Sequence, residues 1–308
     1  MKLDADALFD RRRLKRRLSF WRGTAIVALA ALLVGAIQLA VGDVPGLGHR
    51  AHVARLDVVG FITEDRDLLK SVQDVAEESA AKALLVYIDS PGGTVVGGEA
   101  LFAALRKVAA SKPVVAVMGT TAASAGYMVA IAADRVFAHA GTITGSIGVI
   151  LQTADVTDLL RSIGVEPTAI KSGPLKAVPS PLEPLTPAGR EATQALVDET
   201  YAMFIQMVRE RRGLTDAQVA EVSDGRVFMG RQAVTRGLID ALGGEEEARA
   251  WLEREYRIDR TLPVRQIDYG DDLPWLLGIA STLIGKRIFS ERLRLDGLVS
   301  VWHPDLSL

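Results

Sequence analysis

The stretch Thr121-Ala122-Ala123-Ser124-Ala125-Gly126-Tyr127-Met128 sets one serine among small residues. Before it, Pro113 to Gly119 is an unbroken, largely β-branched run, and after it Ala125 to Ala132 is rich in helix formers. A strand, a tight turn and a helix therefore put Ser124 at the turn, close to the nucleophile elbow that exposes a serine hydroxyl beside backbone N–H groups. Ala122 stands where G-x-S-x-G has its first glycine. The same serine would serve equally as an ordinary helix N-cap. As a nucleophile it would need a base and donors for an oxyanion. Lys176 is one candidate base, flanked by Pro174, Leu175, Ala177, Val178 and Pro179. To accept a proton it must be neutral, so its site must bring it down from a pKa of ~10.4, by desolvation or by nearby positive charge. Taken alone it also fits a surface loop lysine. Of His49, His52, His139 and His303 only His139 falls inside the apparent fold, which leaves a Ser-His-Asp triad open. Gly92 and Gly93 follow Asp89-Ser90-Pro91 and allow a close backbone approach. The N–H groups of Gly93 and Ala125 could together form an oxyanion hole, although such a turn also simply joins a strand to a helix.

Other chemistries find little support. Ser79-Ala80-Ala81-Lys82 spells S-x-x-K, but it ends an expected helix and has no S-D-N or K-T-G partner, so Lys82 is read as a helix C-terminal cap. There is no H-E-x-x-H and no cysteine, which removes zincin chemistry, thiol catalysis and disulfides together. A formal charge of -2 over 308 residues gives no basic field for nucleic acid. Nothing in the chain calls for a cofactor.

The elements that must position these residues alternate. Strands are expected over Val53 to Val59, Ala83 to Asp89, Pro113 to Gly119, Asp134 to Ala138 and Ile147 to Leu151. Helices are expected over Asp65 to Ala81, Gly98 to Ala109, Pro187 to Arg212, Asp216 to Val222, Gly230 to Arg236 and Glu245 to Glu255, with a proline-rich loop through Lys171 to Pro184. The pattern predicts an α/β fold with a largely parallel sheet, and the turns at Gly92-Gly93 and Ser124 follow carboxyl ends of its strands, where open α/β sheets carry their sites.

The N-terminal part follows another logic. A basic segment, residues 1–22, with seven Lys or Arg between positions 11 and 22, precedes an uncharged run at 23–41. Those residues would span roughly 28 Å as a helix, about the thickness of a bilayer's hydrocarbon. We read an uncleaved transmembrane anchor, with residues 1–22 cytoplasmic and the rest across the membrane by the positive-inside rule. A linker at 42–51, a folded domain at 52–260 and an amphipathic or partner-facing C-terminal extension at 261–308 complete the organisation.

Taken in order, Ser90-Pro91-Gly92-Gly93, Ala123-Ser124-Ala125-Gly126-Tyr127, Thr144-Gly145-Ser146-Ile147-Gly148-Val149 and Ser172-Gly173-Pro174-Leu175-Lys176 with Ser180-Pro181 resemble the signal peptide peptidase A family. Gly225 to Ala233 and Gly237-Leu238-Ile239-Asp240 resemble it too, and the single-copy length is similar to its shorter form. The resemblance implies a Clp-protease/crotonase-like fold and a Ser-Lys endopeptidase that cleaves remnant signal peptides at the cytoplasmic membrane. It maps the nucleophile onto Ser124, the base onto Lys176, a hydrogen-bonding partner of that lysine onto Ser146, and the oxyanion donors onto Gly93 and Ala125, where the family often has glycine at the last. It further implies a homo-oligomer in which serine and lysine meet across a subunit boundary. Two rival readings are a crotonase-type acyl-CoA enzyme, which shares the oxyanion turns, and a membrane-tethered scaffold with a vestigial site.

Overall fold

Apolar runs without alternation become the centre of a sheet covered on both faces. In β2 (Ala81–Thr94) and β3 (Val114–Ala123), Leu84, Val86, Ile88, Val114, Ala116 and Met118 join one core, while Ala83, Leu85, Val115 and Val117 join a second with Trp251 and Leu252. Period-2 geometry sends successive side chains to opposite faces, so each face needs its own cover. The larger core lies under α2 (Arg66–Glu77), α3 (Val95–Ala109), α4 (Ala125–Ala130) and α6 (Pro187–Arg212); α9 (Glu245–Tyr256) covers the other face. Flanking strands are β1 (His52–Ile62), β5 (Ile143–Gly145), β6 (Val227–Met229) and β8 (Val264–Gln266), giving the order β6-β5-β3-β2-β1-β8. β5, β3, β2, β1 and β8 run parallel to one another along that series, and β6 is antiparallel to β5. The expected α/β sheet is present.

The computed structural model describes Arg17 and residues 20–33, 50–269 and 299–301. It divides into two units, residues 1–50 and 51–308. In the first, a helix α1 covers residues 20–33, with Ile26, Val27, Leu29 and Leu32 exposed within the chain. Among the described residues no helix is long and apolar enough to cross a membrane. The expected anchor at 23–41 is thus described only as far as 33. Its remainder, nearly all of the basic segment and of the linker, and the C-terminal residues 270–298 and 302–308 lie outside the described residues.

Local signals explain the element ends. Asp65 caps α2 through the N–H groups of Asp67 and Leu68, and Thr94 caps α3 through Gly97. Thr186 caps α6, with Pro187 in its first turn and Gly213 closing it in the left-handed conformation. Three expectations need correction. The strand expected at Ile147 to Leu151 is instead β5, three residues that read as a connection; they pair with both β3 and β6, and the buried Thr144 Oγ1 donates to Ala122 O at 2.7 Å. A short helix α5 (Thr157–Ser162) lies where none was expected. Finally, Lys82 Nζ donates to Ser79 O, just beyond α2, whereas the lysine that reaches carbonyls of that helix end is Lys112, bonded to Val75 O and Glu78 O.

Candidate active site

Ser124 stands at the carboxyl end of the central strand β3, immediately before α4, with 1 % of its surface exposed. Its backbone is at φ 57° and ψ -118°, which costs a non-glycine residue about 1–3 kcal/mol and persists only where the surroundings impose it. Its N–H donates to Gly145 O at 2.8 Å and its carbonyl accepts from Met128 N–H at 2.9 Å. The helix behind it is clamped. Arg211 donates to Ile131 O and Ala133 O, Arg106 donates to Ala132 O, and the buried Tyr127 hydroxyl donates to Leu238 O at 2.9 Å. Burial holds that phenol well above its usual pKa, so it stays a donor. The simple N-cap role fails a direct test: Ser124 occupies the N-cap position of α4, yet its side chain makes no capping bond.

The first turn of α4 packs on the end of β2. A Cβ at Gly126 would come 3.0 Å from Ser90 O, and one at Gly98 would come 3.1 Å from Ala125 Cβ, so residues 90 to 98 wrap this turn closely. Gly93 lies in that stretch, and a Cβ there would fall 2.0 Å from Ile62 O, which no side chain tolerates. Gly92 at φ 132° needs glycine for conformational reasons. Ser90, fully buried, fixes the turn from both sides, its Oγ donating to Gly92 O and accepting from Gly92 N–H at 3.1 Å each. Ser146 follows the Gly145 carbonyl that receives the Ser124 N–H; it is 7 % exposed and has φ 50°. Ser124, Ala125, Ser146 and the Gly93 strand thus share one end of the sheet.

Lys176 has different surroundings. It sits on a turn closed by its own N–H to Gly173 O at 3.2 Å, and its side chain is exposed, with no ion pair among the described residues. The desolvation expected from its apolar neighbours in sequence is not supplied by the single chain, because those neighbours are themselves exposed or half-exposed. The turn is nonetheless shaped: Lys171 pairs with Glu183 at 2.6 Å across its base, and Ala177 has φ 60°. Of the four non-glycine residues with positive φ among those described, three are Ser124, Ser146 and Ala177, and the fourth, Arg257, is a helix C-cap. Strain concentrated in this way is a mark of functional positions.

Neither described histidine stands with Ser124. His52 is buried at the start of β1 beside Glu78, and the His139 ring lies against Gly244 at the start of α9. Sequence reasoning gave no role to Ser90, Thr144 and Arg211, whose hydrogen bonds fix the Gly92 turn, the β3–β5 pairing and the carbonyl end of α4. Ser90 alone carried a signal, as a serine two residues before a glycine pair.

The profile of peptidase family S49 matches residues 106–259, half of the chain. A relative from Synechocystis sp. is 42% identical over 204 residues, 66% of this chain and 73% of its own. The chain belongs to peptidase family S49. The family's chloroplastic serine protease SPPA of Arabidopsis thaliana is 33% identical over 71% of this chain, and Protease 4 of Salmonella typhi is 32% identical over 67%. This chain spans 33% of the length of each of those two relatives. Among solved structures, Listeria monocytogenes ClpP1 aligns with 63% of this chain and 92% of its own at 17% identity and a TM-score of 0.41. The resemblance to signal peptide peptidase A is thereby confirmed, and membership of a peptidase family favours a serine-type peptidase over the acyl-CoA reading.

Proposed function

We propose that the chain is a membrane-anchored endopeptidase with a Ser-Lys dyad, acting on cleaved signal peptides and similar apolar peptides. The observation that carries this reading is the Ser124 backbone, held strained and buried at the end of the central strand while its side chain caps nothing. Neutral Lys176 takes the Ser124 proton, Ser124 Oγ attacks the peptide carbonyl, and the N–H groups of Gly93 and Ala125 hold the oxyanion. The amine product leaves with a proton from the lysine, and water then releases the acyl-enzyme. Ser146 orients the lysine. The Clp-protease/crotonase-like architecture comes with the family, and residues 23–41 anchor the enzyme in the cytoplasmic membrane with its catalytic domain outside; the apolar, exposed surface of residues 20–33 supports this.

The lysine comes from a neighbouring copy. From Gly148 to Ala188 no residue is buried, and Leu159, Ile163, Val165, Ile170, Leu175 and Leu182 are all exposed. So long an apolar limb with no core of its own is the surface of an unmade interface. Closing it in a homo-oligomer would take Lys176 out of water, as a general base requires.

The test is hydrolysis of an apolar signal-peptide substrate by wild type, Ser124→Ala and Lys176→Ala, with oligomeric size measured in parallel. Loss of at least about a thousandfold in both variants at unchanged size is expected. Full activity in Lys176→Ala would remove the dyad. No wild-type turnover on any peptide, with no labelling of Ser124 by an acylating probe, would leave the scaffold reading.

A further inference from the structure

Three arginines gather behind α4. Arg211 donates through Nε to Ile131 O at 2.8 Å and through a terminal nitrogen to Ala133 O at 2.9 Å, and Arg106 donates to the intervening Ala132 O at 2.9 Å. Arg106 also reaches Asp134 at 3.3 Å. Arg212, next to Arg211 on the last turn of α6, is held by both oxygens of Asp240 at 3.0 and 3.1 Å and donates to Gly237 O. Two of the three arginines thus have a carboxylate each. Among the described residues Arg211 forms no ion pair, and its bonds go to main-chain carbonyls. Three arginines against two aspartates leave one positive charge behind the helix. Burial first, and the Arg106 charge after it, hold the Arg211 guanidinium below its usual pKa, yet an arginine stays protonated. A half-buried cation without a carboxylate is costly, and carbonyl bonds offset only part of that cost.

We propose that Arg211 is a positioning residue for the Ser124 turn, which fixes α4 from behind and, with its own charge unmatched, raises the potential at the Ala125 N–H. The proposal rests on the reading of Ser124 as the nucleophile and of Ala125 as an oxyanion donor. α4 has six residues, too few to hold a helix in water by themselves, so its setting comes from what grips it. Ser124 does not cap its first turn. At the other end Arg211 spans two carbonyls with one planar group, which fixes both the height and the rotation of the helix. The root of that arm is fixed in turn, because Asp240 holds Arg212 and also accepts Val136 N–H at 2.8 Å from β4 (Arg135–Ala138). Tyr127 ties the middle of α4 to the same segment, through Leu238 O beside the Gly237 carbonyl that Arg212 holds. A cation at a helix C-terminus offsets the negative end of the helix dipole and leaves the N-terminus more positive. Ile131 lies about 9 Å along the helix axis from Ala125. All residues from Ala122 to Ala133 are buried, so little water screens the charge over that path. A carboxylate partner on Arg211 would cancel it. The oxyanion carries charge that the substrate carbonyl lacks, so the effect falls on the transition state and on kcat.

The full chain is compared with Arg211→Met, Arg211→Lys and Arg249→Met. Arg249 is matched in its bonds, since it too donates to two main-chain carbonyls, Arg260 O and Leu262 O, but it stands on α9 at the opposite face of the sheet. Arg211→Met is expected to lower kcat for an apolar peptide at least about tenfold with KM within about twofold. Arg211→Lys keeps the charge and one carbonyl bond, and should lower kcat about threefold. Arg249→Met, with a comparable fall in urea midpoint, should leave kcat unchanged. Hydrogen exchange supplies a readout that needs no turnover. The amides of Ser124 and Met128, bonded to Gly145 O and Ser124 O, should exchange at least about tenfold faster in Arg211→Met and not in Arg249→Met. Equal kcat losses in Arg211→Met and Arg249→Met would reduce Arg211 to a stabilising contact and overturn the proposal, as would unchanged exchange at those amides. If Arg211→Met fails to assemble, Arg211→Lys decides: wild-type kcat overturns the proposal, and the threefold loss at unchanged KM sustains it. No turnover in any form, wild type included, with faster exchange in Arg211→Met, would instead overturn the peptidase reading and leave Arg211 as the group that holds the turn.

Discussion

The serine half of the site and the lysine limb are built on opposite principles. From Ala122 to Ala133 every residue is buried, and the segment is held by backbone bonds at Ser124, arginine clamps at its far end and glycines whose neighbours leave no space for a side chain. From Gly148 to Ala188 nothing is buried, and the limb is shaped by one lysine–glutamate pair and a few turn bonds. A nucleophile needs a fixed position, and a strained backbone stays fixed only inside a packed core. A general-base lysine needs desolvation, which a second copy can deliver on assembly. On the proposed reading, one half is set at folding and the other at association.

Substitutions should separate the halves by size of effect. Gly93→Ala, forcing a methyl against Ile62 O, should destabilise the domain by about 3 kcal/mol and remove activity, read by urea unfolding and peptide hydrolysis. A near-native midpoint with full activity would break the claim that the serine half is rigid. Ser90→Ala removes both bonds that fix Gly92 and should cost about 1–2 kcal/mol, with kcat falling more than KM rises because Gly93 loses its setting. On the limb, Ile163→Ser or Ile170→Ser should change the stability of the isolated chain by less than about 0.5 kcal/mol. The same changes should shift the oligomer toward monomer in sedimentation and lower activity with it. A limb substitution that unfolds the chain would show that the limb has a core of its own.

How much of this was legible in the sequence follows the same division. Buried strands and capped helices announce themselves, and β1, β2, β3 and the helices at 187–212 and 245–256 lie close to where hydrophobic pattern and cap residues put them. The Ser124 turn was visible as small residues between a strand and a helix. Its strain was not, because the bond that holds the Ser124 N–H at φ 57° goes to the Gly145 carbonyl, on a strand remote in sequence. Strand β5 was misplaced for a related reason. Three residues carry no period, and their pairing with β3 and β6 is a long-range fact. Lys176 was legible as a residue with apolar flanks, but exposure is a property of the chain's surroundings, and flanks that are themselves exposed desolvate nothing.

The claim that the site is divided between two copies is tested most directly by mixing. Ser124→Ala and Lys176→Ala are each prepared inactive, dissociated, combined in equal amounts and reassembled, with mixed oligomers confirmed by mass. The account predicts that activity returns, to about a quarter of the wild-type value for random assembly of heterologous interfaces, because some junctions then join an intact serine to an intact lysine. Mixed oligomers that stay as inactive as their parents would contradict it and return both residues to a single chain.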